Sequence, residues 1–89
     1  METLEITVSG TVQGVFFRKH TRDEALRLGL SGLVSNQPDG TVFIQVTGEK
    51  EPLQLFLSWC QTGPPRAKVT AVRVNQAPLR LYNDFQILR

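Results

Sequence analysis

Apolar and polar side chains alternate at the start of the chain, with Leu4, Ile6 and Val8 set against Glu5, Thr7 and Ser9. A period of two marks a strand with one buried face. Small and polar residues between positions 10 and 14 interrupt it. From Phe17 the period lengthens. Phe17, Thr21, Ala25 and Leu28 fall on one helical stripe, and Lys19, Arg22, Asp23 and Arg27 lie off it. Gly29 is placed to end that helix in a left-handed conformation. Residues 32–36 read as a second strand, Pro38-Asp39-Gly40 as a turn, and Val42, Ile44 and Val46 as the alternating core of a third strand, so the two strands form a hairpin. Glu49, Glu51 and Pro52 suit a helix's first turn. Leu53, Phe56, Leu57 and Cys60 then follow at helical spacing, and Gly63-Pro64-Pro65 stops the run. Leu55 and Trp59 lie on a second, wetter side of it.

Residues 68–74 are rich in β-branched side chains and read as a fourth strand. Its phase is ambiguous: Val69 and Ala71 suit one face, Val72 and Val74 the other, and a bulge would reconcile them. Phe85-Gln86-Ile87-Leu88 adds a short last strand. The order β-α-β-β-α-β is the split βαβ, ferredoxin-like pattern of the α+β class. It predicts a four- to five-stranded antiparallel sheet with two helices on one face. A right-handed crossover makes the first two strands point the same way. The loop after the first strand, residues 12–18, and Asn36 at the end of the second should therefore be neighbours in space.

Composition narrows the function. Eighty-nine residues suffice for one domain. Ten Lys and Arg against eight Asp and Glu leave a net charge of +2, dispersed along the chain. That suits a small anion and lacks the basic stripe expected of a nucleic-acid binder. One cysteine, Cys60, and one histidine, His20, exclude an internal disulfide and a multi-ligand thiolate or imidazole metal site. The N-terminus lacks the basic start and apolar core of a secretory signal, and no apolar run approaches the roughly 18 residues of a membrane span. A reducing cytoplasm, no membrane and a monomer are expected.

The strongest local feature is the junction of residues 10–21, GTVQGVFFRKHT. A helix beginning at Phe17 leaves its first N–H groups without internal partners, and Gly14 permits an unusual turn that aims further amides inward. Such a junction can bind an anion. Arg18 adds a planar fork of donors matched to a phosphoryl group. The same residues also fit a plain turn followed by a solvated arginine. Asn36 by itself is an ordinary strand-end residue, but the topology sets its amide beside the cradle, where it can hold a water and an oxyanion together. His20 faces away from the anion, with a surface or packing role. Cys60 is a small core residue. Phe16 and Phe17 are expected as core plugs anchoring the loop. No nucleotide-binding loop, serine elbow or paired-histidine zinc motif is present.

The run Val12-Gln13-Gly14-Val15-Phe16-Phe17-Arg18, with Gly10 before it, resembles the acylphosphatase signature. Gly32-Leu33-Val34-Ser35-Asn36 followed by Asp39-Gly40 is similar to the family's second motif, with Leu33 where an aromatic is usual. The segments 63–69 and 84–87 are also similar, so the resemblance covers nearly the whole chain, residues 1–89, as one domain. It implies hydrolysis of the carboxyl–phosphate bond of small acyl phosphates to a carboxylate and inorganic phosphate. Arg18 would bind phosphate, Asn36 would position the attacking water, and the amides of Gly14, Val15, Phe16, Phe17 and Arg18 would form the cradle. The family needs no metal and no cofactor. The alternative is a non-catalytic module of the same fold that binds a phosphorylated ligand or a protein. An RNA-recognition domain shares the element order, but such domains need aromatics on the open sheet face, where only Phe43 is a candidate.

Overall fold

Strand β1 (Glu2–Thr11) turns Leu4, Ile6 and Val8 into the core and leaves Glu5, Thr7 and Ser9 on the opposite face. The structure, a computed structural model, describes residues 1–88, and Arg89 lies outside them. Helix α1 (Phe17–Arg27) buries Phe17, Thr21 and Ala25. It closes where Gly29 takes φ +75°. There the Gly29 N–H reaches the Leu26 carbonyl at 3.1 Å and the Leu30 N–H reaches Ala25 at 2.8 Å. A left-handed glycine permits that pair of bonds. Strands β2 (Ser31–Asn36) and β3 (Val42–Gly48) form the expected hairpin. Helix α2 (Lys50–Thr62) buries Leu53, Phe56 and Cys60 and stops at Gly63. Strand β4 (Lys68–Ala77) and the short β5 (Phe85–Leu88) complete the chain.

The strands lie in the order β4-β1-β3-β2-β5. Helix α1 packs over β2 and β5, and α2 over β4 and β3, around a core that includes Ile6, Phe17, Val34, Ile44 and Phe56. This is the expected α+β architecture. One detail corrects the expectation of a wholly antiparallel sheet: β5 pairs parallel with β2, so the sheet is mixed. The reason lies in the connection. The chain leaves β4 at the end of the sheet where β1 begins, crosses there to the far edge, and can only run back in the direction of β2.

The ambiguous phase of β4 also has a physical answer. Ser9 faces Ala71 and Gly10 faces Val69, so Thr70 is an additional residue that bulges. Val69 and Val72, three apart, then both pack against the core. Gly10 holds φ +124°, and a Cβ there would collide with the Lys68 carbonyl, so the bulge needs glycine.

Because β1 and β2 both pair antiparallel with β3, they run the same way and end at one edge of the sheet. The connection formed by residues 78–84 secures the opposite end. The Thr3 and Thr47 hydroxyls, 2.7 Å apart and buried, grip Arg80. Its N–H donates to Thr3 Oγ1 at 2.9 Å and its carbonyl accepts from Thr47 Oγ1 at 2.6 Å. Tyr82 donates to the Gln45 side chain, which donates in turn to Glu5 at 2.9 Å.

Candidate active site

Residues 12–16 join β1 to α1. Val12 is buried and anchors the loop to the core. Gly14 then takes φ +74° and Phe16 φ +62°, while Val15 between them keeps an ordinary negative φ. Backbone whose φ alternates in sign turns successive N–H groups to one side and makes a concave anion nest. The helical bond from the His20 N–H to the Phe16 carbonyl spans 3.1 Å, so the amides of Phe17, Arg18 and Lys19 have no carbonyl to meet inside the helix. The positive end of the helix dipole adds to them. Arg18, half-buried in the first turn, donates from Nη1 to the Leu88 carbonyl of β5 at 3.3 Å. That contact uses one of the guanidinium's five donors and ties the side chain to β5.

Asn36 closes β2, opposite Val42 of β3. By alternation it shares the helix-side face with Val34 and so points toward the start of α1. Its Oδ1 is buried and accepts no hydrogen bond among the described residues. An orphaned buried acceptor costs about 1–3 kcal/mol, and such exceptions in folded proteins call for a reason.

An open cleft of about 310 Å³ brings these parts together, with Gly14, Phe16, Phe17, Arg18 and Asn36 all on its wall. The topological expectation therefore holds. Val15 is the exception: its side chain packs against the core and does not line the cleft. Phe17 is the expected plug, buried and set 5.6 Å from Trp59. Phe16 is not. Its ring is 63% exposed, because the left-handed backbone that turns its amide into the nest also swings its side chain outward. His20 is exposed and does not line the cleft, as expected. Leu33, where the aromatic was usual, faces the side of β2 opposite to Asn36, so the departure lies away from the cleft.

Three residues enter that sequence reasoning left out. Ile87 of β5 forms an apolar wall, which the parallel pairing of β5 with β2 brings there. Lys19 reaches the rim and pairs with Asp23 at 3.0 Å, a contact that holds the Asp23 carboxyl below its ordinary value. Gln13 stands inside the Val12–Arg18 run, but its role was not assigned there: it ties the loop to the connection between β2 and β3 through main-chain carbonyls.

Arg18 and Lys19 bring cations to the cleft, Asn36 a carboxamide, and Val12, Phe16, Phe17 and Ile87 apolar walls, and none of its described lining residues carries a carboxylate. Burial pushes the Cys60 thiol up to about 12, so it is packing and not a nucleophile. Among the described residues no group of three His, Cys, Asp or Glu side chains is placed to hold a metal, and no helix is long and apolar enough to cross a membrane. The arrangement can hold a tetrahedral dianion and orient a water beside it.

The acylphosphatase family model matches residues 4–87. An acylphosphatase from Archaeoglobus fulgidus is 48% identical over 87 residues, covering 98% of this chain and 98% of that one. Among solved structures, the acylphosphatase of Bacillus subtilis is similar at a TM-score of 0.96 and 37% identity, with both chains covered in full. The acylphosphatase of Coxiella burnetii is similar at 0.95 and 37%, covering 98% of this chain and 92% of that one.

Proposed function

The chain belongs to the acylphosphatase family, and from that premise we propose how it acts as a hydrolase of acyl phosphates. The reaction splits the carboxyl–phosphate bond of a small acyl phosphate, with water, into a carboxylate and inorganic phosphate. The amides of residues 14–18 and the Arg18 guanidinium hold the phosphoryl oxygens. Asn36 Oδ1 accepts a hydrogen bond from the attacking water, which directs the water's lone pair at phosphorus.

The chemistry needs few parts. An acyl phosphate is a mixed anhydride whose leaving carboxylate has a conjugate acid of pKa about 4. It departs without protonation, so the site can dispense with a general acid. As the new P–O bond forms and the old one breaks, a phosphoryl oxygen takes the water's proton. What remains is to hold the dianion, stabilise its equatorial oxygens and align the nucleophile. The observation that carries the reading is the orphaned Asn36 acceptor in the same cleft as Arg18 and the nest.

Turnover of benzoyl phosphate and inhibition by inorganic phosphate test it together. Arg18→Ala should weaken phosphate inhibition and lower turnover by about 10³–10⁵-fold, the range for a transition-state arginine. Asn36→Ala should lower kcat and leave phosphate inhibition nearly unchanged. An Arg18 variant within a few fold of wild type refutes its role. A collapse of phosphate inhibition in Asn36→Ala makes that residue a phosphate ligand instead. The proposal extends to a metal-free, cofactor-free reaction by a cytoplasmic monomer in which residues 1–89 form one catalytic domain. Undiminished turnover in EDTA and a monomer mass in sedimentation are the expected results.

A further inference from the structure

Gln13 donates from Nε2 to two main-chain carbonyls of the connection between β2 and β3, Gln37 at 2.8 Å and Thr41 at 2.9 Å. Those carbonyls also take the connection's own bonds, from the Gly40 N–H at 3.1 Å and the Gln37 N–H at 2.8 Å. The amide spends both its hydrogens and each carbonyl both its lone pairs. Gln13 immediately precedes Gly14, where the nest begins, and Gln37 immediately follows Asn36. The clamp thus joins the two halves of the cleft one residue from each.

The sheet cannot supply this link. Strand β3 lies between β1 and β2, and its pairings with them end at Val8–Val42 and Asn36–Val42. Beyond Val42 no strand spans the gap between the loop and the end of β2. The Gln13 side chain bridges it.

We infer that Gln13 is a positioning residue for the hydrolysis. Its carboxamide sets the spacing between the phosphate cradle and Asn36, and with it the line along which the water held by Asn36 meets phosphorus. The inference rests on the roles given above to Arg18 and Asn36. A nucleophile displaced by an ångström costs up to about a hundredfold in rate, while phosphate held by residues 14–18 is bound as before.

The test compares wild type, Gln13→Ala, Asn36→Ala and the double variant on benzoyl phosphate, with inorganic phosphate as inhibitor and circular dichroism to establish folding. Gln13→Ala should lower kcat about tenfold or more, with the phosphate inhibition constant within about twofold of wild type. In the Asn36→Ala background the same substitution should change kcat by less than about twofold, because the aligned water is already lost. A tenfold fall in both backgrounds, or phosphate inhibition weakening in step with kcat, overturns the inference. If the alanine variant fails to fold, Gln13→Asn, whose amide is one methylene short of both carbonyls, takes its place with the same outcomes. A folded Gln13 variant at wild-type kcat beside a crippled Asn36→Ala removes the inference alone. Asn36→Ala at wild-type kcat removes the reading of the site beneath it.

Discussion

Phe16 combines a left-handed backbone at φ +62° with a ring that is 63% exposed. A non-glycine residue there carries strain of about 1–3 kcal/mol, and the exposed ring recovers little by burial. The strain is the cost of aiming the amide into the nest. Asparagine tolerates the same backbone far better. Phe16→Asn should therefore raise stability by about 1 kcal/mol, seen as a higher denaturant midpoint at unchanged slope. Unchanged or lowered stability would mean that the ring's contacts outweigh the strain. At this scale Arg18, Asn36 and Gly14 were legible in the sequence, since each belongs to a motif whose residue types suit phosphate. Gln13 and Ile87 stand in the matching segments too, but their part in the cleft was not legible there. One acts through carbonyls 24 and 28 residues away, and the other through a strand whose direction local pattern leaves open.

The connection between β2 and β3 shows how one element depends on a single charge. Asp39 accepts hydrogen bonds from the Thr41 hydroxyl at 2.6 Å and the Thr41 N–H at 3.0 Å. These bonds, the hydroxyl's first, hold its carboxyl below the ordinary 3.8. A carboxyl whose pKa is lowered on folding stabilises the fold above its unfolded value and loses that contribution as pH falls through the folded value. The melting temperatures of wild type and Asp39→Ala should thus differ at neutral pH and draw together at about pH 2. A constant gap would show that the ionised carboxylate contributes nothing. The turn itself was plain from Pro38-Asp39-Gly40, and the helices from their spacing. The bulge at Thr70 was legible only as a conflict of phase in β4, because which residue bulges depends on where Gly10 of β1 meets it.

Over the whole molecule, the cleft lies at one end of the sheet and the clasp on Arg80 at the other. The hydroxyls of Thr3 and Thr47 clasp Arg80 where residues 78–84 cross toward β5, far along β1 from the cleft. Thr47→Val keeps the shape and leaves the Arg80 carbonyl only the longer bond from the Thr3 hydroxyl, at 3.4 Å, in place of the one at 2.6 Å. It should cost about 1–3 kcal/mol in denaturant unfolding. Turnover per folded molecule should stay at the wild-type level, and a matching loss of kcat would mean that the crossing also sets β5 against Arg18.

The order of elements, the buried faces of β1, β3, α1 and α2, and the phosphate-type residues of the loop were determined by the sequence, because periodicity and residue chemistry are local properties. The tertiary structure alone decided the parallel direction of β5 and the clamp from Gln13. Each of these is set by which distant segment arrives alongside, and packing settles that only when the whole chain has closed around its core.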